Sequence, residues 1–294
     1  MNRREIGEVL RSGGLTPRHR YGQNFMVDER VLAAIADAGE ITADDVVLEV
    51  GPGVGNLTRL LAAHARTVLA VDIDEHLLAA ATRHHANLAN VVWMHADVLA
   101  GKHKVNPAVA AKIAELWAGR GKVRLVSNLP YNAASPLIAE LLVMMWAENG
   151  ALPFAVLAFT VQWEVAERMA APPGNGDYGP LSVIVQALAE VEILRKIPPG
   201  AFWPPPKVNS ALVRVRPDLA KMQRVGNALE LQKLLAGVFG HRRQKLSNGL
   251  RHFLGPRWTE EKAERVRKLG IDLNIRPECL PVDGFIQLTA AMAD

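Results

Sequence analysis

Short apolar runs alternate with helical patterns through most of this 294-residue chain. Each run has the length and composition of a buried strand, and the segments between the runs repeat their apolar residues at helical spacing. Strands that alternate with helices pair in parallel, with helices on both faces of the sheet. The pattern therefore predicts an α/β fold on a parallel, doubly wound sheet. The predicted strands are 46–50, 68–73, 91–95, 123–127, 153–161, 194–197 and 211–216, and the predicted helices are 29–39, 56–65 and 76–85.

The pattern changes after Pro217, where helical patterns follow one another without an apolar run typical of a strand. These later helical patterns are 229–239, 246–253 and 260–269. We therefore predict two domains: a catalytic α/β domain with an N-terminal arm over residues 1–217, and a small all-helical domain over residues 218–294.

Composition excludes several classes of protein. No stretch approaches the roughly 18 consecutive apolar residues of a membrane-spanning helix, and the first residues lack the apolar core of a secretory signal. Cys279 is the only cysteine, which excludes internal disulfides and fits a reducing cytoplasm. The histidines lack acidic or cysteine partners at ligand spacing, so no metal site is predicted. A net charge of +4 is compatible with a nucleic-acid partner.

A glycine-rich turn follows the first long predicted strand, with Gly51, Gly53 and Gly55 at alternate positions. Glycine allows positive φ angles and lets a ligand approach the backbone closely. Asp72 ends the next strand, about 20 residues further on, where a carboxylate can bond ribose hydroxyls. These features predict an adenosine-containing cofactor. The turn lacks the third glycine at the dinucleotide spacing, and Asp97 ends the third strand, where it could hold an adenine amino group; both favour S-adenosylmethionine over NAD.

The tetrapeptide Asn128-Leu129-Pro130-Tyr131 closes the fourth of these predicted strands, at the edge of the sheet where ligands bind. The Asn128 side-chain oxygen and the Pro130 carbonyl can each accept a hydrogen bond, and Tyr131 can stack on a flat ring. Such a set suits an exocyclic amino group on a heteroaromatic base and has no role in hydride transfer. Taken alone, the tetrapeptide fits a simple turn equally well.

Several further motifs occur in order along the chain, and with them it resembles the ribosomal RNA adenine N6-dimethyltransferases from about residue 20 to 276. The motifs are 20–26, 49–58, 128–131, 162–168, 178–183 and 201–210. The resemblance implies a Rossmann-like class I S-adenosylmethionine-dependent methyltransferase domain followed by a small all-α domain. It also implies a cytoplasmic monomer that dimethylates two adjacent adenosines in the 3′-terminal hairpin of 16S rRNA, within an immature small ribosomal subunit.

The resemblance also implies roles for individual residues. The residues implied to hold the methyl donor are Asn24, Met26, Gly51, Gly53, Asp72, Asp97 and Asn128. Among them Asp72 takes the ribose, Asp97 takes the adenine, and Asn128 serves both the cofactor and the target base. Trp163 stands where the family usually has Lys or Arg.

The expected chemistry is alignment of the target nitrogen rather than base catalysis. Hydrogen bonds from adenine N6 to the Asn128 oxygen and the Pro130 carbonyl would localise its lone pair and aim it at the sulfonium methyl. Tyr131 and Phe202 are expected to stack on the extruded base, at about 1–3 kcal/mol per base. The alternative for Phe202 is a core aromatic.

Basic residues predicted to bind RNA lie in three places. They are Arg20 with Arg18 and His19 near the N-terminus, Lys207 beside the expected base pocket, and the cluster Arg242, Arg243, Lys245 and Arg251 in the helical domain. The alternative for this cluster is an ordinary solvated face.

Three other functions are compatible with part of this set of sequence motifs. A large-subunit rRNA adenine methyltransferase of the macrolide-resistance type has the same fold and chemistry, although the triple proline at 204–206 and the helical tail favour the small-subunit enzyme. A non-enzymatic RNA-binding assembly factor would not need the intact motif at 128–131. An NAD-dependent oxidoreductase would need a Tyr-Lys pair or a catalytic histidine, which is not recognisable in the sequence.

Overall fold

The computed structural model of the protein describes residues 1–16, 23–101, 104–147, 152 and 154–292. Its internal contacts divide the chain into two units. The first unit comprises Met1–Ala166 and Glu192–Arg216, and the second comprises Glu167–Val191 and Pro217–Asp294. The second unit thus contains a segment, Glu167–Val191, that the sequence analysis assigned to the first domain.

A seven-stranded sheet in the order β4-β3-β2-β5-β6-β9-β7 runs through the first unit, and a two-stranded ribbon pairs β1 with β8. The strands are β1 (Phe25–Met26), β2 (Val46–Val50), β3 (Thr67–Asp72), β4 (Val91–His95), β5 (Val123–Asn128), β6 (Phe154–Gln162), β7 (Ala189–Ile197), β8 (Phe202–Trp203) and β9 (Ser210–Pro217). Strands β2 to β6 pair in parallel, as the alternating pattern predicts.

The predicted parallel pairing does not extend to β9, which runs antiparallel to β6. Gln162, the last residue of β6, lies opposite Ser210, the first residue of β9. The chain therefore re-enters the sheet at the edge where β6 leaves it, and it can only run back in the opposite direction. This places the start of β9 at the same edge as the carboxyl ends of β2 to β6.

Six α-helices formed by the described residues belong wholly to the first unit. Several begin at a side chain that accepts hydrogen bonds from the free backbone amides of the first turn. Asp28 caps α2, Asp74 caps α4, and Asn106 caps α5 just before Pro107. The helices are α1 (Arg3–Ser12), α2 (Glu29–Ala38), α3 (Thr58–His64), α4 (Glu75–His84), α5 (Pro107–Trp117) and α6 (Tyr131–Ala147).

The second unit is built mainly from helices, and α7 enters it from the first unit. The helices are α7 (Trp163–Ala170), α8 (Pro180–Leu188), α9 (Leu219–Arg224), α10 (Ala228–Phe239), α11 (Leu246–Leu254), α12 (Glu260–Lys268) and α13 (Val282–Met292). Phe239 packs between Tyr178 and Phe285, with ring centroids 6.4 Å and 5.6 Å away. The Tyr178 hydroxyl donates to the Leu280 carbonyl at 3.0 Å, which satisfies its polar atom inside this core.

None of the helices in the described ranges is long and apolar enough to cross a membrane.

Candidate functional site

A cavity of about 510 Å³ opens at the carboxyl edge of the first unit's sheet. Its wall contains every described residue predicted to hold a cofactor or a target base, except Phe202. These wall residues are Asn24, Met26, Gly51, Gly53, Asp72, Asp97, Asn128, Pro130 and Tyr131. The residues that end or follow β2, β3, β4 and β5 therefore meet in one place, as parallel strands require.

The glycine turn after β2 passes close to its neighbours. Gly51 and Gly53 have φ angles of 69° and 60°, a region that other residues rarely adopt. A Cβ atom on Gly51 would lie 3.0 Å from a ring carbon of Pro130, and one on Gly53 would lie 3.0 Å from a ring carbon of Phe25. Both the positive φ angles and the short distances to Pro130 and Phe25 require glycine at these positions. The turn therefore exposes backbone atoms, without side chains, to the cavity.

Two largely buried carboxyl groups, those of Asp72 and Glu49, also line the cavity. Asp72 is 7% exposed and accepts the Asp74 backbone amide at 2.8 Å, and burial raises its pKa to about 6. Glu49 is 2% exposed and accepts the Thr58 hydroxyl at 2.6 Å, and burial raises its pKa to about 8. At neutral pH Asp72 is therefore mainly an anionic acceptor beside the cavity, whereas Glu49 is mainly protonated.

Asp97 reaches the same cavity from the end of β4. Its Oδ1 accepts the backbone amide of Leu99 at 3.0 Å, and its own carbonyl accepts the Asn106 side chain at 2.8 Å. These bonds fix the turn that carries the carboxylate. Asp97 is exposed, so it remains accessible to a polar ligand group.

The Asn128 amide is held at both ends. Its Nδ2 donates to the Asn24 carbonyl at 3.1 Å, and its Oδ1 accepts the Thr160 hydroxyl at 2.5 Å. Thr160 lies directly opposite Asn128 in the pairing of β5 with β6. Thr160 is not among the residues predicted for the site, although a polar residue inside the apolar run 154–161 is a signal that could have indicated it.

The Pro130 carbonyl does not fit the role predicted for it. It accepts the backbone amides of Ala133 at 3.0 Å and Ala134 at 3.1 Å, in the first turn of α6. A carbonyl oxygen has two lone pairs, so a bond to adenine N6 would have to displace one of these. The Leu129 carbonyl, by contrast, accepts no hydrogen bond from any residue in the described ranges, and Leu129 also lines the cavity.

Tyr131 contributes a half-buried ring to the cavity wall. Its hydroxyl lies 2.7 Å from Oγ of Ser210, which is fully buried. Burial also raises the pKa of Tyr131, so the phenol stays protonated at neutral pH. The ring is thus anchored at its polar end and presents its apolar body to the cavity.

The stacking role predicted for Phe202 is wrong in this structure. Phe202 is 0% exposed, belongs to the same buried cluster as Val126, and does not line the cavity. The cause is the ribbon in which Phe202 pairs opposite Met26, because that pairing turns its ring into the core. Trp203, the next residue in the ribbon, stacks instead on Phe25 with ring centroids 6.4 Å apart.

The predicted RNA contacts lie in both units and stay predictions. Arg20 falls outside the described residues, as do Arg18 and His19. Lys207 is exposed in the first unit, where Lys196 Nζ also lies 4.6 Å from the centroid of the Trp163 ring, so a positive charge is present beside that tryptophan.

In the basic cluster of the second unit, Arg242, Arg243 and Lys245 lie between α10 and α11, and Arg251 lies in α11; all four are exposed. Arg242 donates to the Gly176 carbonyl at 2.8 Å, and Lys245 donates to Asn274 at 3.0 Å. These bonds leave other N–H donors of both side chains available. Arg243 is exposed beside them.

The sequence profile described as "Ribosomal RNA adenine dimethylase" matches residues 14–293. The chain belongs to this family. Its resemblance to the rRNA adenine N6-dimethyltransferases is thereby confirmed, and the cavity residues of this dimethylase lie inside the matched region.

Curated relatives of this dimethylase carry the name "Ribosomal RNA small subunit methyltransferase A". The protein of Levilactobacillus brevis is 37% identical over 98% of this chain and 96% of its own length. That of Ligilactobacillus salivarius is 35% identical over 97% of this chain and 93% of its own. A relative from Methanopyrus kandleri, named as a probable member, is 35% identical over 95% of this chain and 93% of its own.

Solved structures confirm the Rossmann-like methyltransferase fold of the dimethylase. A dimethyladenosine transferase from Plasmodium falciparum superposes with a TM-score of 0.70 at 23% identity, over 90% of this chain and 95% of that one. The 23S rRNA methyltransferase ErmE superposes with a TM-score of 0.58, also at 23% identity, over 92% and 99%. At these identities the likeness shows the fold alone.

Proposed function

We propose that this dimethylase transfers methyl groups from S-adenosylmethionine to N6 of two adjacent adenosines near the 3′ end of small-subunit rRNA, in the cytoplasm and as a monomer. The observation that carries the proposal is the Asn128 amide, which is held by hydrogen bonds in the wall of the same cavity as the glycine turn and the Asp72 carboxylate. The names of the curated relatives support the small subunit as the substrate.

The residues present fit an adenosine-type methyl donor. Gly51 and Gly53 leave a cradle that a Cβ atom would fill, and the methionine part would lie against it. Asp72 would accept the ribose hydroxyls, and Asp97 would accept the adenine amino group. When bound, S-adenosylmethionine supplies an electrophilic methyl group on a sulfonium.

The protein's part in the reaction is to orient the target nitrogen. Adenine N6 is a poor nucleophile because its lone pair is delocalised into the ring. The Asn128 oxygen can accept a hydrogen bond from N6, and the Leu129 carbonyl, which accepts none within the described ranges, would be the second acceptor. Both bonds would favour a tetrahedral nitrogen. Tyr131 would stack on the extruded base, at about 1–3 kcal/mol. After methyl transfer the extra proton on N6 passes to water.

Large-subunit rRNA is the second candidate substrate, because ErmE, named as a 23S rRNA methyltransferase, shares the fold. The same Asn128 amide could serve an adenosine in either subunit. The assignment to the small subunit rests on the relatives' names, so the experiment must include both subunits.

The test is incorporation of labelled methyl groups from S-adenosylmethionine into unmethylated small subunits and, separately, large subunits. We expect dimethyladenosine in small subunits with the wild-type protein and none with Asn128→Ala. Asn87→Ala, at an exposed position, is the matched control and should behave as the wild type. Incorporation into large subunits only, or full activity of Asn128→Ala, would contradict the proposal.

A further inference from the structure

Thr160 makes the shortest polar contact in the cavity region, and it makes it with the side-chain oxygen that the reaction uses. The Thr160 hydroxyl lies 2.5 Å from Asn128 Oδ1, and Thr160 is 0% exposed. The contact follows from strand pairing, since Asn128 of β5 and Thr160 of β6 are opposite each other. It therefore rests on rigid sheet rather than on a loop.

The hydrogen-bond directions around the amide are fixed by chemistry. A backbone carbonyl only accepts, so the Asn24 carbonyl requires Nδ2 of Asn128 to face it. Oδ1 then faces Thr160, and the hydroxyl must donate its single proton to that oxygen. Oδ1 has two lone pairs, so one is engaged by Thr160 and one is left for an N6 proton.

We infer that Thr160 is a positioning residue of the methyl transfer, which sets the direction of the Asn128 acceptor; this inference rests on the proposed function. With Thr160 and Asn24 in place, the amide is clamped at its oxygen and its nitrogen. Without the hydroxyl, the Asn24 carbonyl is the one hydrogen-bond partner that the amide keeps among the described residues, and the amide can swing about its last side-chain torsion. The remaining lone pair then no longer points steadily at the target amino group.

A space-filling role alone does not account for this residue. Thr160 is 0% exposed, and valine would fill the same space because it has nearly the shape of threonine. A buried hydroxyl costs free energy unless it is hydrogen-bonded. The hydroxyl of Thr160 makes that hydrogen bond to Asn128.

The test compares Thr160→Val, which removes the hydroxyl, with Thr160→Ser, which retains it. Thr289→Val is the matched control, because Thr289 is also buried but donates to the Phe285 carbonyl within a helix of the second unit. For each variant we would measure kcat on small subunits, KM for S-adenosylmethionine and Tm.

We expect Thr160→Val to lower kcat about 10- to 100-fold, since a misplacement of about 1 Å can cost this much. KM for S-adenosylmethionine and Tm should stay close to wild type, Thr160→Ser should recover most of kcat, and Thr289→Val should leave kcat unchanged. The inference would be overturned if Thr160→Val kept the wild-type kcat, or if the valine and serine variants lost kcat equally. It would also be overturned if the loss of kcat followed a loss of Tm.

A readout without turnover separates this inference from the proposed function. In protein labelled at asparagine, the Asn128 side-chain amide resonance is the one that disappears in Asn128→Ala. It should shift in Thr160→Val and return in Thr160→Ser. If the wild type methylates neither subunit, the proposed function fails, and an unshifted resonance would show independently that Thr160 does not hold the amide.

Discussion

The Tyr131 hydroxyl lies 2.7 Å from Oγ of Ser210, and this contact joins the first residue of α6 to the first residue of β9. Ser210 is fully buried, so its hydroxyl depends on a protein partner. The bond ties the ring that faces the cavity to the antiparallel strand of the sheet. The orientation of Tyr131 is therefore set by a strand that is distant in sequence.

The Tyr131–Ser210 bond should be visible in a double-mutant cycle. Tyr131→Phe and Ser210→Ala should each lower kcat/KM on small subunits about 2- to 13-fold, which corresponds to about 0.5–1.5 kcal/mol for a hydrogen bond. The double variant should be little worse than either single one, because both remove the same bond. Additive losses would mean that the two hydroxyls act separately.

Asp72 should make cofactor affinity depend on pH. Burial raises its pKa to about 6, so the carboxylate that would accept ribose hydroxyls becomes protonated as the pH falls through about 6. Calorimetry should show S-adenosylmethionine binding weakening below that pH and levelling off above it. Asp72→Asn should weaken binding by about 1.5–3 kcal/mol and flatten this profile. Asp37→Asn, at an exposed position on α2, is the control.

Glu49 should make stability depend on pH in a different window. Burial raises its pKa from the ordinary 4.5 to about 8, so the folded protein favours the protonated carboxyl. The stability that this provides is complete below pH 4.5 and is lost as the pH rises through about 8. Glu49→Gln stays neutral throughout, so its Tm relative to wild type should rise between pH 5 and 9. A constant Tm difference would show that Glu49 is ionised in the fold.

Phe202→Ala should reduce stability rather than chemistry, because Phe202 is 0% exposed in the core. Truncating a buried phenylalanine typically costs about 3–5 kcal/mol of unfolding free energy. Denaturant unfolding measures the loss, and Phe202→Leu, which refills most of the space, should lose less. A stable Phe202→Ala protein with slow methylation would restore the stacking role that the sequence suggested.

Much of the fold could be predicted because apolar runs bounded by turns mark buried strands. The five parallel strands lie within one residue of their predicted bounds. The direction of β9 could not be predicted, because an apolar run has no direction of its own. Helix α6 was not predicted because it is apolar on nearly every side and contains Pro136. Its sequence therefore lacks the one-sided apolar pattern that indicates an amphipathic helix.

The site was predictable where a residue's role depends only on its place after a strand. Gly51 follows β2, and Asp72 and Asn128 are the last residues of β3 and β5, so the three had to meet at one edge of the sheet. Thr160 was missed because its contact depends on the register between β5 and β6. Phe202 was placed wrongly because its direction depends on a ribbon of two residues per strand, which sequence patterns do not reveal.

The basic cluster between α10 and α11 should bind RNA through its charge. Replacing Arg242, Arg243 and Lys245 by glutamine should weaken binding to small-subunit rRNA and leave S-adenosylmethionine binding unchanged. Each phosphate contact that is lost should flatten the dependence of log affinity on log salt by about 0.7–0.9.

The control neutralises Arg265, Arg267 and Lys268 on α12, of which Arg265 and Arg267 already pair with glutamates. Affinity and salt slope measured by filter binding should change only in the first variant. Equal changes in the two variants would mean that RNA binding depends on the net charge of the second unit and not on this cluster. Unchanged affinity and salt slope in both variants would mean that the cluster is an ordinary solvated surface.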